Sequence, residues 1–475
     1  MENWRPQDFS FPISHPATLQ STLRRGLPWL LGLIVAGFFA FNAVRYIDEG
    51  QRELRLLPWL AYDNRVDFAY FYAGAEMAAH GDAADLYPVQ GELTFYPGDA
   101  IFRRLTDDYE KARVLARGNY YNPPALAYLQ APLTLLGFRV AFWLFTAGSL
   151  AALGGTLYLT YRFGTGVVEL PFLLLGIIAF RPVYEAIIMG HVALFFVLVL
   201  TAGFFALRSG RTALTGLLFS LLVLKPQWAV LPGLFLLVRG EWRALTVMAV
   251  VGAAIFFLPF LATGPSTFKN YVLFLRDASQ IDLRDAPHMF SWNGFLFKLH
   301  GGAFTSTTTP ICGGPCWLYN AVEAIVPPLS KGLVYGLVAV TTVPLLAVWR
   351  SRDFHLGVAA TVIAMLLVST HSVWYDWALL VVAAIFLVLR PWPRRGMRIE
   401  MWGVLLALLL CAGQSIAVVL SPDRHFIDWH RPGLFLVTPV AFVGLLWLVS
   451  VAWREGLLRL PLRRSRSALQ LPAGS

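Results

Sequence analysis

The sequence predicts an all-α polytopic membrane protein, a bundle of about 12 transmembrane helices with a long, helical first outer loop. Three observations predict it. First, 57% of the 475 residues are hydrophobic, only 14% are charged, and the mean hydropathy is +0.60. That is too apolar for an ordinary soluble domain. Second, several windows are free of charge over lengths that cross a bilayer, which takes about 20 residues of helix. Third, the basic residues gather in short connections between those windows. The formal net charge of +10 is therefore a topology signal of the positive-inside kind. No basic stripe with interleaved aromatics stands clear of the apolar windows, so a nucleic-acid partner is not expected.

The apolar windows include Ala141 to Tyr161, Ala244 to Phe268, Met401 to Pro422 and Pro432 to Trp453. Helix is expected there because it satisfies every backbone group within the segment. The N-terminal stretch Met1 to Thr22 is polar and carries proline, without a cleavable signal pattern. The first span, about Leu27 to Ile47, is expected to remain as an anchor. Basic clusters at Arg24-Arg25, Arg208 to Arg211, Arg239 to Arg243, Arg350 to Arg352, Arg390 to Arg398 and Arg454 to Arg466 place the inner connections. Outer connections then fall near Asp48 to Asn122, Arg181 to Gly190, Lys225 to Gln227, Gly264 to Pro327, Thr370 to Tyr375 and Ser421 to Arg431. The whole chain, 1–475, is expected to form a single domain, with its large outer loops at about 48–122 and 264–327.

Two segments resist a simple span. Pro123 to Gly137 is apolar but short, which suits a re-entrant or tilted helix. Thr212 to Val238 carries Lys225-Pro226 at its middle, where proline breaks the backbone ladder. Two short helices meeting near the outer face are expected, lining a cavity, because a broken helix cannot face lipid. The first outer loop holds nearly half of the 28 acidic residues. Phe68, Phe71, Tyr72, Ala75 and Ala79 repeat at helical spacing within it, and Asp99 to Arg117 is a second helical candidate.

Ionisable residues at membrane depth are costly and mark functional candidates. Lys225, in SLLVLKPQWAVLPGL, is flanked by apolar residues on both sides. It needs an anion there, which a lipid phosphate or an internal carboxylate can supply, unless it snorkels to the interface. His191, in IIMGHVALF, is either a structural hydrogen-bonder or a ligand contact. His371, Tyr375 and Asp376 lie in STHSVWYDWALL at an outer mouth, where Asp376 can bind a sugar hydroxyl, cap the next helix or pair with Lys225. Arg181 and Glu185 flank a short turn as mutual partners. Asp67 stands before an aromatic run in NRVDFAYFYAGAEMAAHG, as a helix cap or as a reactive carboxylate. Pro123-Pro124, after Tyr120-Tyr121-Asn122, reads as a membrane anchor. Cys312 and Cys316, in CGGPC, can form a disulfide on an oxidising face but lack the further ligands of a zinc site. Cys411 lies in an apolar span. There is no phosphate-binding Gly-rich loop, Walker motif or HExxH pattern. No cofactor or metal is expected, and an enzyme of this kind needs an activated substrate that the membrane itself can carry.

Five segments in order, VDFAYFYAGAEMAAHGDAADLY, YNPPALAYLQAPLTLLG, GHVALFFVLVL, LTGLLFSLLVLKPQWAVLPGLFLLVRGEWRA and HSVWYDWALLVVA, resemble glycosyltransferase family 87 over about Asp67 to Ala384. The resemblance implies a GT-C-like helical bundle and transfer of a hexose, often mannose, from a polyprenyl-phosphate donor with inversion. It implies a plasma-membrane enzyme whose site faces the outer, periplasmic side. It assigns the acidic residue of the first outer loop, Asp67, as general base. The donor would be bound by Lys225, His191, His371, Tyr375 and Asp376. The partners implied are the polyprenyl-phosphate sugar, a glycolipid or glycan acceptor, and membrane lipids. One departure is His191, where the family usually has glutamine. The competing reading is a transporter or flippase of a polar lipid or sugar, which broken helices also suit.

Overall fold

The computed structural model describes residues 37, 67–87, 120–164, 167, 169–281, 289–299, 316–412 and 433–458. Among them the chain is helical. The only extended pairing in these residues is an isolated bridge between Met289 and Val373. Four helices are long and apolar enough to cross a membrane: Gly137–Phe163, Trp242–Thr263, Gly332–Arg350 and Val437–Arg454. Leu170–Ile178 and Arg181–Ile188, bent by 41° against each other, make a fifth when counted as one span. Ala193–Arg208, Thr212–Leu224, Phe354–Val368 and Trp374–Val388 are apolar but shorter. The first span (apart from residue 37), the Asp99 to Arg117 helix, Cys312 and the Ser421 to Arg431 connection lie outside the described residues, as does the side chain of Cys316.

Burial explains the division between long and short helices. Phe354–Val368 is enclosed on all sides, from Leu356 through Leu367, and packs on Leu380–Val388, Cys316–Arg350 and Gly433–Arg454. It is apolar all round because every face meets protein. It starts at Asp353, whose Oδ1 accepts from the Leu356 N–H at 2.9 Å, an N-cap that satisfies one orphan donor. Trp242–Thr263 has the opposite character. Ala244, Met248 and Gly252 form a buried stripe at four-residue spacing, while Val250, Leu258 and Leu261 are exposed on the apolar outside. Its stripe meets Thr212–Ser220 so closely that a Cβ on Gly216 would lie 2.4 Å from the Ala244 carbonyl oxygen. Small residues permit such close approach, and dispersion at short range holds apolar helices together where no water is displaced.

The broken segment is present as expected. Helix Thr212–Ser220 tightens into a 3-10 turn at Leu221–Leu224, the chain breaks at Lys225, and Pro226–Trp228 leads into Val230–Arg239. Lys225 takes φ −137°, ψ 81°, outside the helical region that a following proline disfavours. The apolar stretch at Pro123 forms an 11-residue helix, Pro124–Thr134, then turns through Gly137 into the long Gly137–Phe163 helix.

Two expectations are corrected. Arg181 and Glu185 do not flank a loop: they lie one turn apart on the Arg181–Ile188 helix, with Nε donating to Oε1 at 2.9 Å. The Asp67–Ala79 helix is also not a one-sided amphipath. Phe68, Ala69, Phe71, Tyr72, Ala73, Gly74, Ala75, Met77 and Ala78 are all buried, while Ala79 is exposed. The cause is packing on several sides at once, against Pro124–Thr134 and against Phe138, Phe142 and Phe145.

At the ends of three helices Arg390, 4% exposed, forms an ion-paired clamp. Its Nε donates to Asp353 Oδ2 at 3.0 Å, and its Nη1 donates to Glu455 Oε1 at 2.9 Å. The guanidinium also lies 4.5 Å from the Trp392 ring centroid. Arg390→Met should strand two carboxylates and lower stability by about 3 kcal/mol. A detergent-solubilised variant with an unshifted thermal midpoint would show that the clamp contributes nothing.

Candidate active site

The break at Lys225 exists for what it carries. A lysine at the centre of an apolar helix would have no anion to meet. Interrupting the helix lets its ammonium reach across the bundle. Lys225 Nζ donates to Asp376 Oδ1 at 2.7 Å, and both residues are buried, Asp376 completely. The ammonium also sits 4.2 Å from the Trp228 ring centroid, three residues on, an additional stabilisation of buried positive charge. Asp376 is held from its own side: Oδ2 accepts from the Val373 N–H at 3.1 Å within the Trp374–Leu379 turn. Of the three roles open to Asp376 in the sequence, the structure shows the pairing with Lys225; its second oxygen closes its own turn and does not cap the helix that follows.

His191 joins this pair. Its Nδ1 accepts from the Ala193 N–H at 3.1 Å. A backbone N–H can only donate, so Nδ1 carries the lone pair and the ring proton of the neutral imidazole lies on Nε2. Nε2 lies 3.3 Å from Lys225 Nζ and 3.8 Å from Asp376 Oδ1. Two proton-bearing nitrogens therefore gather around one carboxylate oxygen, in a pocket closed to solvent. Such an arrangement suits an anionic oxygen.

Asp67 approaches from the start of its helix. Phe68 N–H donates to the Met189 carbonyl at 3.0 Å, and the Phe68 ring packs among Phe138, Phe142 and Phe145 with centroids 5.2–5.6 Å apart. The turn before His191 fits against it only because residue 190 is glycine. Gly190 has φ +63°, and a Cβ there would lie 2.5 Å from Phe68 Cβ. Gly190→Ala should lower both the thermal midpoint and activity, by more than the ~1 kcal/mol of an ordinary left-handed strain, since the contact must also open. An alanine variant with the parent's midpoint and rate would remove this packing constraint.

The Asp67 carboxyl is enclosed even though the residue as a whole is part-exposed: Oδ2 is buried and has no hydrogen-bond partner. That oxygen caps nothing. Burial raises the Asp67 pKa to about 7. A hydrogen bond from Tyr375 and the charges of Lys225 and His371 pull it down, while Asp376 pushes it up. Desolvation outweighs the pairing, so the group exchanges a proton near neutrality.

The structure therefore brings Asp67, His191, Lys225, His371, Tyr375 and Asp376 into one neighbourhood. The Tyr375 ring lies against His191, with centroids 4.0 Å apart and planes tilted by 34°. His371 is at the edge, stacked on Tyr121 with centroids 5.6 Å apart and planes 21° from parallel. Tyr121 was legible only as an anchor, and Trp228 and the Ala193 amide carried no signal beyond their places beside Lys225 and His191. The aromatic three residues after the lysine is the one cue that sequence offered for Trp228. Arg181 and Glu185 bond to each other.

The sequence profile of Glycosyltransferase family 87 matches residues 120–370. That is more than half of the 475 residues, and it contains His191 and Lys225. No curated protein matches the chain, and no solved structure matches it.

Proposed function

Because this chain belongs to glycosyltransferase family 87 and is therefore a membrane glycosyltransferase with a sugar donor and an acceptor, we propose that it moves a hexose from a polyprenyl-phosphate donor to an acceptor hydroxyl. Mannose is the sugar proposed, and a glycolipid or glycan the acceptor. The reaction is placed at the outer, periplasmic face of the plasma membrane, in a single GT-C-like domain of about 12 spans. A transporter, the other reading of a broken helix, lacks the support of the family.

The observation that carries the reading is the enclosed, unpartnered Oδ2 of Asp67 beside the Lys225–His191–Asp376 cluster. Attack of the acceptor oxygen on the anomeric carbon requires a base for its proton, and Asp67 has the position and the proton affinity for that role. The bond from that carbon to the phosphate oxygen breaks, and its electron pair leaves with the phosphate. Lys225 and the Nε2–H of His191 supply positive charge and a donor to the departing group. One base on the attacking side suffices for inversion. The substrate's phosphate would take the place that the Asp376 oxygen now holds against Lys225.

The test is transfer in membranes holding the overproduced protein, supplied either with a labelled polyprenyl-phosphate hexose or with the matching nucleotide sugar. Label should enter lipid or glycan from the first donor and not from the second. Transfer from the nucleotide sugar after removal of endogenous polyprenyl phosphate would sink the proposal.

A further inference from the structure

We infer that Thr438 is a positioning residue: through Phe290 and Ser372 it fixes the turn that carries Asp376, and so the point at which the Lys225 ammonium meets the donor phosphate. This rests on the reading of Lys225 given above. The links run in one line from a scaffold helix to the cluster. Thr438, 2% exposed, lies on the Gly433–Arg454 helix, and its Oγ1 donates to the Phe290 carbonyl at 2.5 Å. The Phe290 N–H donates to the Ser372 carbonyl at 2.8 Å, and Met289 is bridged to Val373. Val373 holds Asp376 twice: its N–H donates to Oδ2 at 3.1 Å, and its carbonyl accepts from the Asp376 N–H at 3.0 Å. Oδ1 of the same carboxylate accepts from Lys225 Nζ at 2.7 Å.

The Thr438 hydroxyl is used differently from those of other helical threonines. Thr156, Thr160, Thr341 and Thr361 each donate to the carbonyl four residues back in their own helix. That is the ordinary outlet for a threonine inside an apolar helix. A hydroxyl has one proton, and Thr438 gives it to another segment. One turn further along the same helix, Phe442 meets Trp292 with ring centroids 5.5 Å apart. The Trp292 indole N–H donates to Thr341 Oγ1 at 2.8 Å, on the Cys316–Arg350 helix. Residues 289–292 thus form a strap tied to two helices, and the turn that follows closes tightly on it. A Cβ on Gly294 would lie 2.2 Å from the Met289 carbonyl oxygen. The lysine stem is flexible, so the ammonium follows the carboxylate, and the carboxylate follows the strap. Removing the Thr438 hydroxyl takes a donor from the buried Phe290 carbonyl and frees strap, turn and ammonium to shift together. A displacement of about 1 Å at a reacting group costs rate even when its cause is remote.

Thr438→Val keeps the shape of the side chain and removes only the hydroxyl. The expected result in the transfer assay is a fall in kcat/KM for the labelled polyprenyl-phosphate hexose of roughly 10- to 100-fold. Polyprenyl phosphate without a sugar, added as a competitor, should inhibit the variant about tenfold more weakly, because it probes the ammonium directly. Thr438→Ser restores the hydroxyl and should bring both values back to within about threefold of the parent. A parent-level kcat/KM in Thr438→Val overturns the inference, whatever its thermal midpoint. Slow transfer with an unchanged inhibition constant overturns it too, since the effect then lies away from the phosphate. So does a Thr438→Ser variant as slow as Thr438→Val, which would make packing of the methyl group the cause. If Thr438→Val does not fold, Thr438→Cys takes its place. Its thiol is a weak donor, so kcat/KM should lie at least about threefold below that of Thr438→Ser, and equal values overturn the inference. The double variant Lys225→Met with Asp376→Asn, assayed alongside, separates the two ideas. If it transfers sugar, the reading of Lys225 itself fails. If it is inactive while Thr438→Val matches the parent, only the role of Thr438 fails.

Discussion

Asp67→Asn should abolish sugar transfer while leaving a folded protein that is no less stable than the parent. The amide keeps the shape of the carboxyl and its acceptor oxygen for Tyr375, but it cannot take a proton. A lost general base is worth about 10²- to 10⁴-fold in rate, so residual transfer should fall below a hundredth of the parent's. The parent's own kcat/KM should rise with pH through a midpoint near 7, the value to which burial lifts the Asp67 carboxyl. The stability effect runs the other way. A carboxyl whose pKa is raised in the folded state favours folding while it is protonated. That contribution is complete below its ordinary value of 3.8 and is lost as pH rises through about 7. Above neutrality the parent holds a buried, desolvated anion that the asparagine variant does not. The variant's thermal midpoint should then equal or exceed the parent's, as is common when an active-site group is held for function rather than stability. Measuring activity and midpoint on one preparation checks both. Normal turnover in the variant would remove Asp67 as the base.

The second large effect concerns the ion pair. Lys225→Met should remove both donor use and stability, because it leaves Asp376 charged and fully buried without its 2.7 Å partner. Breaking one side of a buried pair costs about 3–5 kcal/mol. The double variant Lys225→Met with Asp376→Asn removes both charges, and most of the stability should return. Transfer should not return, because no positive charge remains beside the departing phosphate. The comparison separates a structural pair from a functional one. If the double variant recovers both midpoint and rate, Lys225 and Asp376 serve the fold alone. If it recovers the midpoint and remains inactive, the lysine acts on the substrate.

Which parts of this were legible in advance follows from the range of each signal. The helical class followed from composition, since a long charge-free window has no other way to satisfy its backbone. The break at Lys225-Pro226 was also legible, because proline acts on its immediate neighbour. Arg181 and Glu185 were misplaced for the same reason: a short polar interruption reads as a loop, yet four-residue spacing on a helix and mutual neutralisation let it stay inside one. The amphipathic reading of Asp67–Ala79 failed because alanine and glycine carry too little polarity to mark a face. Whether such a face is buried depends on which partners arrive.

By itself the sequence determined that the protein is helical, that its chain breaks at Lys225, and that Asp67, His191, Lys225, His371, Tyr375 and Asp376 are costly enough in an apolar chain to need a purpose. Only the tertiary structure decided that they share one neighbourhood. Lys225 and Asp376 are 151 positions apart, and nothing local couples them. They meet because a buried ammonium and a buried carboxylate each require the other. At Asp67 it was likewise the packing that left one carboxyl oxygen buried without a hydrogen-bond partner, the observation on which the proposed base role rests. Burial and partners are properties of packing, and the order of residues along a chain does not contain them until the helices have met.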